Sequence, residues 1–361
     1  MEKYTIQPDI KKAATLPAAF YRSAEAFEAS KEKIFAAHWN FVTESASIAE
    51  PGQVYPFTLL EGVLDEPLVL THDQNGQKHC LSNVCTHRGN LVAMQPGKAR
   101  MLSCGYHGRC FRLDGTFKSM PAFEGAEDFP TAADHLTPVH FEEWLGLIFV
   151  SLNPSVSFEE MTRPMRERLN WLPLDTLHLV EEGTTDYHVN AHWALYCDNF
   201  LEGFHIPFVH PALNAAIDFD QYAYEIFPYC NLQIGIADEG QPHFEAPEGH
   251  PDFGRKIYAY YYWLFPNLMF NFYPWGLSLN VVEPQGLQKT RIRFRTYLYK
   301  DATHQRSLNN LEATELEDEA VVESVQRGIQ SRYYHSGRFS PAMEQGVHHF
   351  HSLLAKVLFD K

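Results

Sequence analysis

The sequence predicts an α+β chain in two parts: an N-terminal all-β part, and a C-terminal part in which an antiparallel sheet grips a long helix. Three observations predict it. Short β-type runs broken by turns fill residues 39 to 153. Four longer β-type runs then follow one another between residues 258 and 299, and a helical stretch with few breakers covers 308 to 331. Strands in series followed by a helix point to α+β, with a cavity between sheet and helix.

Each element has a local reason. Ala24 to His38 carries Phe27, Ile34 and Phe35 at helical spacing, which predicts a helix leading into the β region. Trp39-Asn-Phe-Val, Pro67-Leu-Val-Leu-Thr and Leu145-Gly-Leu-Ile-Phe-Val-Ser read as strands, and Asp73-Gln-Asn75-Gly76 reads as a hairpin turn. Asn153-Pro154 marks a break before a helix over Phe158 to Leu172. Beyond it, Thr184 to Trp193 reads as a strand and Ala194 to Phe204 as a helix. Tyr258 to Leu264, Leu268 to Phe272, Leu277 to Val282 and Thr290 to Tyr299 read as strands, and Leu308 to Ser331 and Val347 to Phe359 as helices. The expected organisation is a helical lead-in over 1–38, a β domain over 39–155 and a second domain over 156–361.

Composition bounds the function. At 361 residues, 45% apolar and 14% aromatic, the chain has the material for a large core. The longest apolar run, Trp144 to Leu152, is too short to span a bilayer, and the first residues lack an apolar signal region. A cytoplasmic protein with no membrane partner is expected. A formal charge of −16 argues against nucleic acid and is compatible with a cationic substrate. Of the six Cys, the four at 80, 110, 197 and 230 show no paired spacing of a secreted scaffold and are expected to be reduced, while Cys85 and Cys104 belong to the motif described next.

The chemistry lies in two ligand pairs, Cys85-Thr-His87 and Cys104-Gly-Tyr-His107, with sixteen residues between His87 and Cys104. Each pair offers one thiolate and one imidazole. A Rieske [2Fe–2S] cluster puts two Cys on one iron and two His on the other, and two such loops supply that set. The competing reading is a Cys₂His₂ zinc site, but zinc loops begin C-x₂₋₄-C rather than C-x-H. Gly89, Gly97, Gly105, Gly108 and Gly115 crowd the same stretch, as expected where backbone wraps a cluster. Tyr106 is placed to send its hydroxyl toward a cluster sulfur, and Cys110 is the remaining thiol nearest the site.

A second set follows in Asp198-Asn-Phe-Leu-Glu202-Gly-Phe-His205-Ile-Pro207-Phe-Val-His210. His205 and His210 are five apart, which is not the spacing of two ligands on one continuous helix. Pro207 is expected to end the helix, so that the turned chain returns His210 toward His205. Two His need a carboxylate to complete the facial triad of a non-haem Fe(II) oxygenase. On the helix from Leu311, the stripe of Leu311, Val321, Val322, Val325 and Ile329 runs back to Asp318, where a carboxylate is costly unless paired or metal-bound. Glu312, Glu319 and Glu323 turn away, and Glu315 lies at the margin. Glu317, on the side of Val321, stays the competing ligand.

These segments resemble the Rieske non-haem iron oxygenases. The resemblance rests on Asn83-Val-Cys85-Thr-His87-Arg88-Gly89, Cys104-Gly-Tyr-His107-Gly108, Phe111-Arg-Leu-Asp114-Gly115 and the Asp198 to His210 run, and it covers nearly the whole chain. It departs at Arg109-Cys110, where many members carry Trp. It implies a helix-grip catalytic domain, with Fe(II) on His205, His210 and Asp318, the last within Glu317-Asp318-Glu-Ala-Val-Val-Glu323. It further implies that Glu202 bridges to His107 of a neighbouring chain, that the chain forms a homotrimer, and that a separate reductase or ferredoxin supplies electrons. Asn199 is a candidate in the surroundings of the iron, and a structural Asn is the equal alternative.

Glu at position 202, with Trp263-Leu-Phe-Pro266-Asn267 and Tyr273-Pro-Trp275-Gly276, is closest to the subgroup of choline monooxygenase, glycine betaine demethylase and carnitine oxygenase. That resemblance implies monooxygenation or oxidative N-demethylation of a quaternary ammonium compound. Tyr260, Tyr262, Trp263, Phe270, Tyr273 and Trp275 are candidate members of a cation–π cage, although strand aromatics are more often core. The alternative substrate is an aromatic acid anchored by Arg291, Arg293 or Arg295, and the alternative class is a non-catalytic Rieske electron carrier. His348-His349-Phe-His351 reads as a solvated helix face, and His188 and His192 as structural or pocket-lining.

Overall fold

The computed structural model describes residues 2–300 and 305–359, except for the side chains of Glu182 and of residues 305–311. The chain divides into two compact units, Phe35–Ser155 and a second made of Met1–Ile34 with Val156–Lys361.

The first unit is all β. Strands β1 (Asn40–Glu44), β2 (Gln53–Leu59), β3 (Glu66–His72), β4 (Lys78–Ser82) and β5 (Gly97–Lys98) are followed by β6 (Leu102–Ser103), β7 (Cys110–Phe111), β8 (Phe117–Ser119), β9 (His140–Trp144) and β10 (Leu147–Ser151). They form antiparallel sheets of order β1-β10-β9, β4-β3-β2-β5 and β6-β7-β8. The Asp73 turn joins β3 to β4, with Asp73 Oδ1 accepting the N–H groups of Asn75 (2.8 Å) and Gln77 (2.9 Å). Val69, Leu81, Leu102, Phe111, Leu113 and Leu136 pack together with Cys85 and Cys104, so the two thiols belong to the core of the unit.

The second unit is α+β. Helices α1 (Ala18–Arg22) and α2 (Ala24–Ser30) precede a π-helical turn, Lys31–Ala36. Ser23 caps α2 by accepting the Ala26 N–H at 3.1 Å. This segment is tied to the second unit: Leu16 N–H bonds His351 Nδ1 (3.0 Å), Tyr21 bonds Asp198 (2.6 Å) and Lys33 bonds the Leu358 carbonyl. Phe27 and Ile34 are buried there, so the expected lead-in divides: its residues up to Ile34 belong with the later residues, and Phe35 to His38 with the β unit.

Helix α3 (Phe158–Arg168), capped by Ser157, enters a sheet of β11 (His178–Val189), β12 (Ala223–Phe227), β13 (Cys230–Ile236), β14 (Phe244–Glu245), β15 (Lys256–Leu264), β16 (Leu268–Tyr273), β17 (Gly276–Gly286) and β18 (Lys289–Leu298). Its order is β11-β18-β17-β16-β15-β13-β12, all antiparallel, with β14 beside β15. Helices α4 (Trp193–Phe200), α5 (Ile206–Val209), α6 (Pro211–Asn214), α7 (Gln305–Gly328) and α8 (Gln345–Phe359) complete it. Helix α7 packs on α4 and β11. Two of its side chains hold the β11–α4 connection: Glu323 accepts the Asn190 N–H and Gln326 the His192 N–H, each at 2.9 Å.

Several expectations are corrected. The strand expected to reach Trp193 ends at Val189, and buried His192 caps α4 by accepting the Ala194 N–H. His188 is exposed on β11. The helix expected to run to Phe204 stops at Phe200. Pro207 starts α5 rather than ending a helix, because the first turn needs no N–H from it. On α7 the buried face is Glu315, Val322 and Gln326, continued by Ile329 just past its end, whereas Val325 is exposed; the side chain of Leu311 lies outside the described residues. The His348 tract is not a solvated face. His351 is buried between Leu16, Tyr21 and Asp198, and His349 bonds Asn231 at 2.7 Å. Among the described residues no helix is long and apolar enough to cross a membrane.

Candidate metal centres

In the first unit the two ligand loops are the same turn made twice. Cys85 N–H bonds the Asn90 carbonyl, and Cys104 N–H bonds the Arg109 carbonyl, each at 2.8 Å. Gly89 and Gly108 then return their N–H groups to the Cys85 and Cys104 carbonyls at 3.0 Å. Both glycines hold positive φ, +71° and +73°, a conformation that side chains strain. The result faces His87 Nδ1 to His107 Nδ1 at 3.2 Å.

Two imidazole nitrogens meeting at that distance cannot both carry protons, and a shared metal cluster satisfies both lone pairs. Burial raises the Cys104 thiol, but the N–H groups of Tyr106 and His107, Cys85 and the Asn90 amide oppose it, and the net direction is down, toward thiolate. The donor set of two sulfurs and two nitrogens therefore fits a [2Fe–2S] cluster of Rieske type.

Two neighbours differ from expectation. The Tyr106 ring lies over His107, centroids 3.7 Å apart, and is 58% exposed, so its contact is ring on ring and not hydroxyl to sulfur. Arg109 is buried, pairs with Asp134 at 2.6 Å, and is surrounded by Phe111, Phe117 and Phe129. It occupies the core much as a large aromatic would, which explains how the departure from Trp is accommodated. Cys110 is half-buried, with Sγ near Ser103 Oγ (3.2 Å) and the Gly108 carbonyl (3.3 Å).

In the second unit the short helix α5 does the positioning. His205 precedes it and His210 follows it, so one turn of helix returns the second ring to the first. Their Nε2 atoms are 3.1 Å apart. Asp318 Oδ1, from α7, stands 3.1 Å from His210 Nε2 and 3.5 Å from His205 Nε2. Among the described residues these three are the one group of metal-type ligands with atoms all within 4.8 Å of one another.

The far sides of the rings decide the tautomers. His205 Nδ1 lies 2.8 Å from Glu202 Oε1, and His210 Nδ1 lies 2.7 Å from Glu317 Oε2. A carboxylate only accepts, so each Nδ1 carries a proton and each Nε2 presents a lone pair. Two lone pairs and a carboxylate oxygen then converge with no proton between them, an arrangement that a cation satisfies. Burial pulls His210 down, but Asp318 and Glu317 outweigh it, and the ring's pKa is raised, which records the same local negative charge. Two His and one carboxylate are the ligand set of mononuclear non-haem Fe(II). Glu317 stands behind a ring, not among the converging atoms.

A cavity of about 100 Å³ opens beside this set. Glu202, His205, His210 and Asp318 line it, as does Asn199. Its aromatic wall is Tyr196, Phe200, Tyr222, Tyr261, Tyr273 and Phe294. Of the aromatics considered from the sequence, only Tyr273 lines the cavity. Trp275 stacks on it, centroids 4.9 Å apart. Tyr260 points the other way, to Asp252 (2.9 Å), because strand neighbours alternate, and Trp263 packs on Phe350. Arg291 and Arg293 pair with Glu283, and Arg295 with Asp186, from the face of β18 opposite Phe294.

Glu315, expected at the margin of the stripe, is instead buried in the cavity wall. It is 3% exposed and accepts the Tyr196 hydroxyl at 2.5 Å, and burial pushes its carboxyl far above the usual range. Its place three residues before Asp318, on the face of Val322 and Ile329, was the available signal.

Comparison with known proteins adds an independent line. A family model described as Ring hydroxylating alpha subunit (catalytic domain) matches residues 174–359, and one described as Rieske [2Fe-2S] domain matches residues 38–130. Carnitine monooxygenase oxygenase subunit of Escherichia coli (strain K12) is 30% identical, covering 97% of this chain and 95% of that protein. Choline monooxygenase, chloroplastic, of Arabidopsis thaliana is 28% identical, covering 96% and 83%. Among solved structures, a quaternary ammonium Rieske monooxygenase in complex with L-carnitine superposes with a TM-score of 0.81 at 26% identity, covering 99% of each chain.

Proposed function

Because the chain belongs to the family of ring-hydroxylating oxygenase alpha subunits, we propose that it oxidises a small quaternary ammonium compound with O₂. It is an oxidoreductase with a Rieske [2Fe–2S] cluster and a mononuclear iron. In this reading Cys85, His87, Cys104 and His107 hold the cluster, and His205, His210 and Asp318 hold the iron. The cluster supplies single electrons and the iron activates O₂.

The remaining work belongs to side chains. Glu202 and Glu317 hold the Nδ1 protons of His205 and His210, which keeps both Nε2 atoms free to ligate. The aromatic wall supplies rings that can attract a methylated ammonium, about 0.5–2 kcal/mol for each ring that turns its face to the cation. Asn199 lies in the cavity wall beside Glu202. We infer that Glu202 also accepts a hydrogen bond from His107 of a neighbouring chain in a homotrimer. Each Glu202 oxygen already takes one donor from His205, and each keeps a second lone pair. A related solved structure is described as giving insights into inter-subunit electron transfer, which favours that route. Electrons are expected from a separate reductase or ferredoxin.

The observation that carries the substrate class is the cavity wall beside His205, His210 and Asp318: aromatic rings and carboxyls, with the three β18 arginines paired on the opposite face. An aromatic acid, the alternative, would lose its arginine anchor. The test is a single turnover of reduced, iron-loaded protein with O₂ and a panel of trimethylammonium compounds, reading oxidised product and formaldehyde. Stoichiometric product from one of them is expected. Product only from aromatic acids contradicts the proposal.

A further inference from the structure

We propose that Glu315 is a substrate-binding residue that faces the cationic head, and that the cavity selects ammonium compounds whose remainder carries no negative charge. This rests on the quaternary ammonium reading and narrows it to choline-like alcohols over betaines.

Four observations support it. First, Glu315 is a wall residue of the cavity, and its carboxyl Oε1 has no hydrogen-bond partner, although Oε2 takes the Tyr196 hydroxyl. A buried carboxyl without compensation is costly, and a cation brought into the cavity relieves that cost. Second, the other ionisable wall groups besides the two histidines and tyrosines are Glu202 and Asp318, both acids. Among the described residues the wall includes no Lys or Arg, so a carboxylate on the substrate would meet acids and no counter-cation.

Third, the uncharged polar part of the wall is Asn199 and Thr314 on the helix side and Gln233, Asn271, Ser278 and Asn280 on the sheet side. The Gln233 amide is engaged with Tyr222 and the Phe200 carbonyl, and Asn280 Oδ1 takes both Asn271 Nδ2 and Ser278 Oγ, which leaves Asn271 Oδ1 an acceptor without a donor. This part of the wall suits a neutral group better than an anion. Fourth, Glu315 sits about one helical turn before Asp318 on α7, on the same side of the helix, with Cβ atoms about 5–6 Å apart, so a head group at Glu315 is a neighbour of the ligand carboxylate. That places the carbons attached to the ammonium nitrogen next to the proposed iron.

The experiment measures dissociation constants on the anaerobic holoenzyme by calorimetry for choline, glycine betaine and 3,3-dimethylbutan-1-ol, the uncharged carbon isostere of choline. Choline is expected to bind about tenfold or more tightly than either of the others, a gap of about 1.4 kcal/mol. Glu315→Gln, checked for its visible spectrum and iron content, is expected to remove most of the choline advantage while leaving the isostere within about twofold. Equal wild-type binding of choline and its isostere overturns the assignment of Glu315, and so does an equal loss for both in the variant. Glycine betaine binding as tightly as choline overturns the charge selection. The wild-type comparisons need no variant to fold. Turnover of an ammonium compound alongside any of these results leaves the oxygenase reading standing, whereas no binding and no turnover of any ammonium compound removes both.

Discussion

The four side chains assigned to the cluster come from twenty-three consecutive residues, Cys85 to His107, on two turns of one design. The three assigned to the iron come from the two ends of a one-turn helix and from Asp318, more than a hundred residues later on α7. The first arrangement is local: backbone bonds from Cys to the residue four later shape each loop, and two glycines permit the turn. The second is tertiary. It exists only because α7 packs on α4 and β11, with Glu323 and Gln326 holding the chain that leads to α4. A local site tolerates change elsewhere in the fold; a tertiary one depends on each contact that sets its helix.

Three predictions press on that difference, from the largest effect to the smallest. Glu202→Gln removes the carboxylate behind His205 and the proposed route from the neighbouring His107. It should keep the cluster spectrum and slow single turnover by about 100-fold or more, read by rapid quench. A rate within threefold of wild type would remove the bridge. Glu317→Gln touches only the ring of His210, so iron affinity should fall by about tenfold with no change in the cluster, read by competition with a chelator. Unchanged affinity would leave Glu317 as a surface residue.

The smallest effect is on stability. Burial holds the folded Glu315 carboxyl far above its ordinary 4.5, so its contribution is complete below that value and is lost as pH rises. Glu315→Gln should therefore gain in melting temperature relative to wild type between about pH 5 and about pH 8. A difference that shrinks over this range contradicts a buried, uncompensated carboxyl.

The same contrast explains what the sequence could say. Cys85-x-His87 and Cys104-x-x-His107 can be read because ligand type and spacing lie next to each other. β15 to β18 can be read because their apolar runs are long. β12 and β13 could not, since Ala223–Phe227 is a half-buried edge and Cys230–Ile236 mixes Asn, Gln and Gly into a buried strand. The role of Pro207 was misread because a proline that ends one helix and one that opens the next give the same local signal. Glu315 looked marginal because its burial comes from Tyr196 on another helix. The cavity-lining aromatics were misjudged for a related reason: Tyr260, Tyr261 and Tyr262 are identical in sequence, and only the phase of the strand chooses Tyr261.

The most direct measurement is iron per chain in wild type, Asp318→Ala and Cys104→Ala, read with the visible spectrum. Two separately built centres predict about three irons in wild type, about two with an intact cluster spectrum in Asp318→Ala, and about one with no cluster spectrum in Cys104→Ala. Wild-type iron content in Asp318→Ala would contradict the account, as would loss of the cluster from that variant.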